Sequence, residues 1–156
     1  MAISLRRFVP GDLQAVKTLI DLTIDRCYTG VYPGEAIRFF LDYHRLENIA
    51  RDAETSYTLV LEEDGEIIGT GTLVAADIRR VFIHPDRQGG GRGRATMRAL
   101  EEEAAAKGLR EVGLSASLVA KRFYDALGYV TASEEFMPLP GGEVLHYYEM
   151  RKETMV

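Results

Sequence analysis

Apolar and polar positions follow two rhythms along this chain, and the changes between them mark its elements. Ile3, Leu5 and Phe8 fall in a short β-like opening that Pro10-Gly11-Asp12 interrupts. Leu13, Val16, Leu19, Ile20 and Ile24 then recur at helical spacing, which predicts an amphipathic helix to about Cys27 with Asp12 as its cap. Thr29 to Gly34 holds two glycines and a proline and stops it. A second helical stretch starts at Glu35 and carries Ile37, Phe40, Leu41, Leu46, Ile49 and Ala50. Its period falters near His44, so two short helices fit it as well.

Beyond Ser56 the period shortens. Tyr57 to Leu61 reads as a strand and Ile67 to Val74 as its partner, joined by Glu62-Glu63-Asp64-Gly65, where Asp-Gly suits positive φ. Asp77 to Ile83 is a third strand. Arg92 to Lys107 reads as a helix ending at Gly108, a left-handed cap. Leu109 to Ser115 is a strand, and Ser117 to Leu127 a helix capped by Gly128. Tyr129 to Met137 and Glu143 to Arg151 are strands around a Pro140-Gly141-Gly142 turn. Antiparallel runs followed by alternating β and α predict an α/β (mixed α+β) fold, a mixed sheet with helices on both faces.

Length and charge narrow the function classes. The 156 residues suit one domain, 1–156, able to bury its own core. Nineteen basic against 24 acidic residues give a net charge of −5, which argues against nonspecific nucleic-acid binding and favours cationic partners. A single cysteine allows no intrachain disulfide. No apolar run approaches the roughly 18 residues of a membrane span, and the first residues do not read as a signal peptide, so a cytoplasmic protein with no membrane partner is expected. The three histidines show no metal-ligand spacing, so no metal is expected.

The chemistry concentrates in VFIHPDRQGGGRGRATM, Val81 to Met97. A strand stops at Pro85, all but one of positions 89–93 is glycine, and a helix follows at once. Glycines let the backbone approach an anion closely. The first N–H groups of the new helix have no intrahelical partner and point at a ligand, aided by the helix dipole. Arg87, Arg92 and Arg94 add full charges. A Walker loop fails, because Gly93 is followed by Arg94 and Ala95 rather than Lys and Ser or Thr. A dinucleotide loop fails for want of the third glycine of G-x-G-x-x-G. The pattern Q-x-x-G-x-G is met by Gln88, Gly91 and Gly93. A second pattern, A-x-x-F-Y-x-x-L-G-Y, covers Ala120 to Tyr129, with one helix and one strand between the two.

In content, spacing and strand order over nearly the whole chain, the two patterns together resemble the GNAT superfamily of N-acetyltransferases. The resemblance implies a central mixed, mostly antiparallel sheet with a V-shaped slot for coenzyme A, and acetyl-CoA as co-substrate. Main-chain groups of Val81, Phe82 and Ile83 would contact the pantetheine arm. Gln88, Gly89, Gly90, Gly91, Arg92, Gly93 and Arg94 would wrap the pyrophosphate. Tyr124 would protonate the departing thiolate, a role a phenol of pKa about 10 can fill. The acceptor would be a primary amine of a small molecule or peptide, and a homodimer is compatible with the family's habit of pairing.

Two departures matter. Ser117 stands where many members place an asparagine on the coenzyme arm, and serine reaches less far. Val112 stands where the branch acetylating protein N-termini carries a glutamate base, so that branch loses support. Asp77, six residues before Ile83, falls where the histone-acetylating branch has its base. One methylene shorter than glutamate, it would work through a bridging water. It reads equally as a solvated carboxylate at a strand start. His84 reads as structural. His44 reads as a surface histidine or a base, and Cys27, Tyr28 and Tyr32 as flanks of the acceptor slot, with Cys27 a small buried apolar residue. Glu101-Glu102-Glu103 reads as a solvated helix face. The alternative from another class is a CoA-binding sensor or interaction domain without turnover.

Overall fold

The computed structural model describes residues 3–154. In chain order the elements are β1 (Ile3–Arg7), α1 (Leu13–Tyr28), α2 (Gly34–Tyr43), α3 (Leu46–Thr55), β2 (Tyr57–Glu63), β3 (Glu66–Val74), β4 (Asp77–Ile83), α4 (Arg92–Ala106), β5 (Glu111–Ser117), α5 (Lys121–Ala126), β6 (Val130–Pro138) and β7 (Val144–Glu153). The seven strands form one sheet in the order β1-β2-β3-β4-β5-β7-β6. Every pairing is antiparallel except β4 with β5.

Helices cover both faces, so β2 and β3 are buried on both sides over continuous runs, Thr58–Leu61 and Ile68–Leu73. On one face Leu59, Leu73, Leu114 and Met150 pack with Met97, Leu100 and Ala104 of α4. On the other, Val60, Phe82 and Leu145 pack with Val16, Ile20 and Ile24 of α1. Each apolar stripe thus buries against its own layer, at about 25 cal/mol per Å² removed from water.

Two details differ from expectation, at Ser117 and Asp12, and the choice left open after Glu35 resolves as two helices. Strand β5 runs on to Ser117, which pairs with Tyr147, so the helix expected from Ser117 begins at Lys121. The helical stretch after Glu35 is two helices parted at His44 and Arg45. Asp12 precedes α1 but makes no side-chain cap. Its carboxylate instead accepts from the Val9 N–H at 2.8 Å and from Arg6 Nη1 and Nη2 at 2.8 and 2.9 Å, a charge-assisted fork stronger than a neutral cap bond.

Strand β4 carries a bulge. Thr70 pairs with Phe82 and Thr72 with Arg79, so Arg80 and Val81 together oppose Gly71. The extra residue reverses the alternation of the strand. Ile78 packs on the α4 side, whereas Phe82, four residues on, packs on the α1 side. Helix α4 comes close at Gly71. A Cβ there would lie 2.9 Å from Leu100 and 3.1 Å from Thr96.

Candidate active site

Strands β4 and β5 touch only at their starts. Asp77 pairs with Gly113, and the Gly113 N–H donates to the Ala76 carbonyl at 3.0 Å. Beyond that point β5 stays with β7 and β4 with β3, so the sheet opens into the expected V-shaped slot. Two cavities fill it. One, about 260 Å³, lies beside the glycine loop and reaches Cys27, Gln88, Gly89, Gly93 and Phe123. The other, about 230 Å³, is walled by Phe39, Tyr43, Asp77, Met137 and Tyr147. Tyr28, Val81, Phe82, Ala120 and Tyr124 border both.

At the first cavity the main chain does the shaping. Gly89, Gly90 and Gly91 have φ of +84°, +64° and +84°, and Gly91 immediately precedes α4. A Cβ on Gly89 or Gly91 would meet nothing within 4 Å, so the left-handed backbone, rather than packing, calls for glycine there. Gly93 differs: a Cβ would lie 2.9 Å from the Phe123 ring. The Gln88 amide donates to the Ile83 carbonyl at 3.1 Å and ties the loop to the end of β4.

The charges around the loop are fewer than the sequence suggests. Arg92 gives Nη2 to Glu63 Oε2 at 2.7 Å, and Arg87 Nε lies 3.3 Å from the other Glu63 oxygen. The Arg92 contact holds the Glu63 carboxyl below its ordinary pKa. The Arg92 guanidinium is therefore committed to this buried carboxylate, while Arg87, half exposed, makes an ion pair with it and no hydrogen bond. Arg94 is exposed on the first turn of α4 and forms no ion pair among the described residues.

Tyr124 sits where the two cavities meet, 93% buried, its ring edge-on to Phe123 and Tyr129 at 5.1 and 5.7 Å. Burial first, and the neighbouring Tyr28 second, push its phenol pKa well above the ordinary value. It stays protonated throughout the neutral range. Tyr28 is pushed up to about 12 by burial, opposed by the Ser117 hydroxyl. Ser117 Oγ accepts the Ala120 N–H at 3.2 Å and borders the second cavity. Asp77 also faces that cavity. Its Oδ2 accepts from Arg79 Nε and Nη2 at 3.1 and 2.9 Å, yet burial outweighs the guanidinium and raises its pKa.

The largest feature missed in the sequence lies under the second cavity. Arg80 has φ +61°, a left-handed backbone in the middle of a strand. Such a residue costs about 1–3 kcal/mol and persists only where its surroundings hold it. Here Arg80 Nη1 donates to Asp52 Oδ2 at 2.7 Å and Nε to His44 Nδ1 at 3.0 Å, all three side chains being buried. His44 is thus no surface group. Burial, then Arg80 and Lys17, lower its pKa to about 3, so it is neutral and an acceptor. Positive φ inside a strand leaves no mark in the sequence. Glu101 is likewise no solvated acid: it accepts from the Tyr129 hydroxyl at 2.6 Å and from Lys152 at 3.1 Å. Cys27 is half-buried, 3.8 Å from the Gln88 amide nitrogen. Tyr32 is buried, and its hydroxyl accepts the Leu118 N–H at 2.8 Å while donating to the His146 carbonyl at 2.9 Å. His84 Nδ1 accepts the Asp86 N–H at 3.0 Å, a structural turn contact.

Among the described residues no group of three His, Cys, Asp or Glu side chains could hold a metal ion, and no helix is long and apolar enough to cross a membrane. The acetyltransferase (GNAT) domain family matches residues 28–152. The chain belongs to the GNAT acetyltransferase family. As a GNAT N-acetyltransferase it moves an acetyl group from acetyl-CoA to an acceptor. It is similar in structure to the GCN5-related N-acetyltransferase "Aminotransferase, Class-II" from Rhodopseudomonas palustris, at 25% identity over 98% of each chain, with a TM-score of 0.87. PaiA N-acetyltransferase from Thermoplasma acidophilum, solved with coenzyme A, shares the fold at 17% identity over 98% of this chain and 99% of that one, with a TM-score of 0.75. The ribosomal-protein-S18-alanine N-acetyltransferase from Escherichia coli shares it at 16% identity over 99% and 96%, with a TM-score of 0.73.

Proposed function

We propose that this acetyltransferase passes the acetyl group directly to a primary amine, with Tyr124 as the acid that completes the transfer. The observation that carries this reading is the position of Tyr124. It is a buried phenol bordering both the cavity beside the glycine loop and the cavity that holds Asp77.

The loop suits a coenzyme diphosphate. Three consecutive left-handed glycines, the open N–H groups of the first turn of α4 and the free Arg94 offer donors and positive potential, with room in front of Gly89 and Gly91. Arg92 would serve through its main chain, since Glu63 holds its guanidinium. The main chain of Val81, Phe82 and Ile83 would line the arm, and an N–H near Phe82 or Ile83 would stabilise the oxyanion. Asp77, with its raised pKa, would draw a proton from the ammonium through a water, leaving a neutral nucleophile. The amine nitrogen then bonds to the acetyl carbon, the carbon–sulfur bond breaks, the sulfur takes the Tyr124 proton, and the second proton shed by the nitrogen restores the Tyr124 phenol. No covalent enzyme intermediate is needed. Ser117, bonded to the Ala120 N–H and facing the second cavity, would contact the acceptor end of the arm.

The test is thermal unfolding with CoA, acetyl-CoA and ATP, followed by CoA release across a panel of amines. CoA at 100 times its Kd should stabilise by about 2.7 kcal/mol. Stabilisation by ATP and not by CoA would overturn the reading of the loop. CoA binding with no amine turned over would favour a sensor.

A further inference from the structure

The second cavity carries information about the acceptor, which neither the glycine loop nor the family does. We infer that the acceptor is a small primary monoamine with a flat or branched apolar body, rather than a polyamine, an amino acid or a protein chain. This rests on the acetyl-transfer reading above and names its substrate class.

Four observations carry it. The cavity is about 230 Å³, below the roughly 300–1,000 Å³ of pockets that enclose drug-sized ligands. One part of its wall is aromatic and apolar, and Asp77, Arg79, Arg80, Ser115 and Ser117 make the polar part. Phe39 and Tyr43 of α2 present near-parallel rings 6.0 Å apart and 15° between planes, and Met137, Leu145 and Tyr147 face them from β6 and β7.

The guanidiniums lining the cavity are already matched. Arg80 is bound to Asp52 at 2.7 Å and Arg79 to Asp77 at 2.9 Å. No lining cation is left to take an acceptor carboxylate, which disfavours amino acids. Asp77 is the single acid among the described lining residues. Arg79 takes only its Oδ2, so Oδ1 can attract one ammonium, whereas the remote ammonium groups of a polyamine would lie against hydrocarbon, a costly placement for a charge.

The segment that carries the aromatic wall is also tied down. Tyr32, in the α1–α2 loop, donates to the His146 carbonyl of β7 at 2.9 Å and accepts the Leu118 N–H at 2.8 Å. The Glu35 N–H at the start of α2 donates to Glu143 Oε1 in the β6–β7 turn at 3.0 Å. These three bonds stitch the α1–α2 segment to the β6–β7 hairpin and to the end of β5. They hold α2, and with it the Phe39 and Tyr43 rings, against β6 and β7, so the small cavity is not readily widened for a chain.

The experiment measures CoA release with 2-phenylethylamine, spermidine, phenylalanine and an alanine-led peptide. kcat/KM for 2-phenylethylamine should exceed that for each of the others by at least about tenfold, the lower end of what a well-filled apolar pocket discriminates. Tyr43→Ala should raise KM for 2-phenylethylamine by about tenfold or more and leave KM for acetyl-CoA unchanged, since Tyr43 lines the second cavity alone. Preference for spermidine, phenylalanine or the peptide overturns the inference and leaves acetyl transfer standing. If no amine is turned over, each is added to the CoA complex in a thermal shift. A further rise with 2-phenylethylamine alone supports the inference, and its absence overturns it. Failure of CoA itself to bind overturns the functional reading instead.

Discussion

The two ends of the slot meet at Tyr124 but are built in opposite ways. The glycine-loop end is made by neighbours in sequence, Gln88 to Arg94, and acts mostly through main-chain groups. The acceptor end is made by side chains from α1, α2, β4, β5, β6 and β7, none close in sequence to most of the others. A ligand shared by a whole family suits the first construction, because backbone N–H groups do not depend on side-chain identity. A ligand particular to one member suits the second, because each wall can change independently. Charge is handled alike at both ends. Glu63 neutralises Arg92, and Asp52 neutralises Arg80, each pair joining segments about 30 residues apart.

The sharpest test of the junction is Tyr124→Phe. kcat should fall about 10²–10⁴-fold while KM for acetyl-CoA holds, since the donor acts only as the thiolate leaves. An unchanged kcat with an accepted amine would remove Tyr124 from the chemistry at both ends. Next in size, Asp52→Ala strands the buried Arg80 guanidinium and should destabilise by about 3–5 kcal/mol in urea unfolding. A loss under 1 kcal/mol would mean that Arg80 reaches water when unpaired.

The loop end should respond in affinity more than in rate. Gly91→Val must place a branched residue at φ +84° and crowd the approach to the helix N-terminus. We expect CoA affinity to fall at least about tenfold, the worth of one charge-assisted hydrogen bond or more. Gly93→Val should cost less affinity, because its Cβ meets the Phe123 ring rather than the open space before the helix. If calorimetry ranks the two variants the other way, the division of labour within the loop is wrong.

The smallest effect concerns pH. His44 titrates near 6.5 when unfolded and near 3 when folded, so below 6.5 the unfolded chain binds a proton that the folded one refuses. Its contribution is fully present above about pH 6.5 and drains away as pH falls towards 3, by up to about 1.4 kcal/mol per pH unit. His44→Gln keeps an acceptor for Arg80 and should flatten the urea midpoint between pH 7 and 5, relative to the native chain. An identical slope in both proteins would place the titration elsewhere.

Much of this molecule could be read from the chain. Periodicity placed the strands and helices, and Asp64-Gly65 the hairpin, because those signals are local. The glycine loop was legible for the same reason. What stayed hidden was partnership across distance. Nothing near Arg92 shows that Glu63 will take its charge, and nothing near His44 shows that Arg80 will bury it. Ser117 misled because its hydroxyl does turn the chain towards α5, while its backbone is still paired to Tyr147 in the sheet. Local helix-start chemistry and strand pairing overlap at that residue, and composition alone cannot order them.

The parting of β4 from β5 has a further consequence, for colloidal behaviour. A sheet with a slot has four borders instead of two: β1 and β6 outside, and the parted β4 and β5 inside. Unpaired strand borders are templates for adding foreign strands. The inner two are recessed between the α1 layer and the α4–α5 layer, where an arriving strand finds no flat approach. The outer border on β6 has no such cover, and Val130 and Phe136 on that strand are 69% and 57% exposed. Self-association through strand pairing should therefore start at β6. A lysine at Val130 should suppress it without touching catalysis.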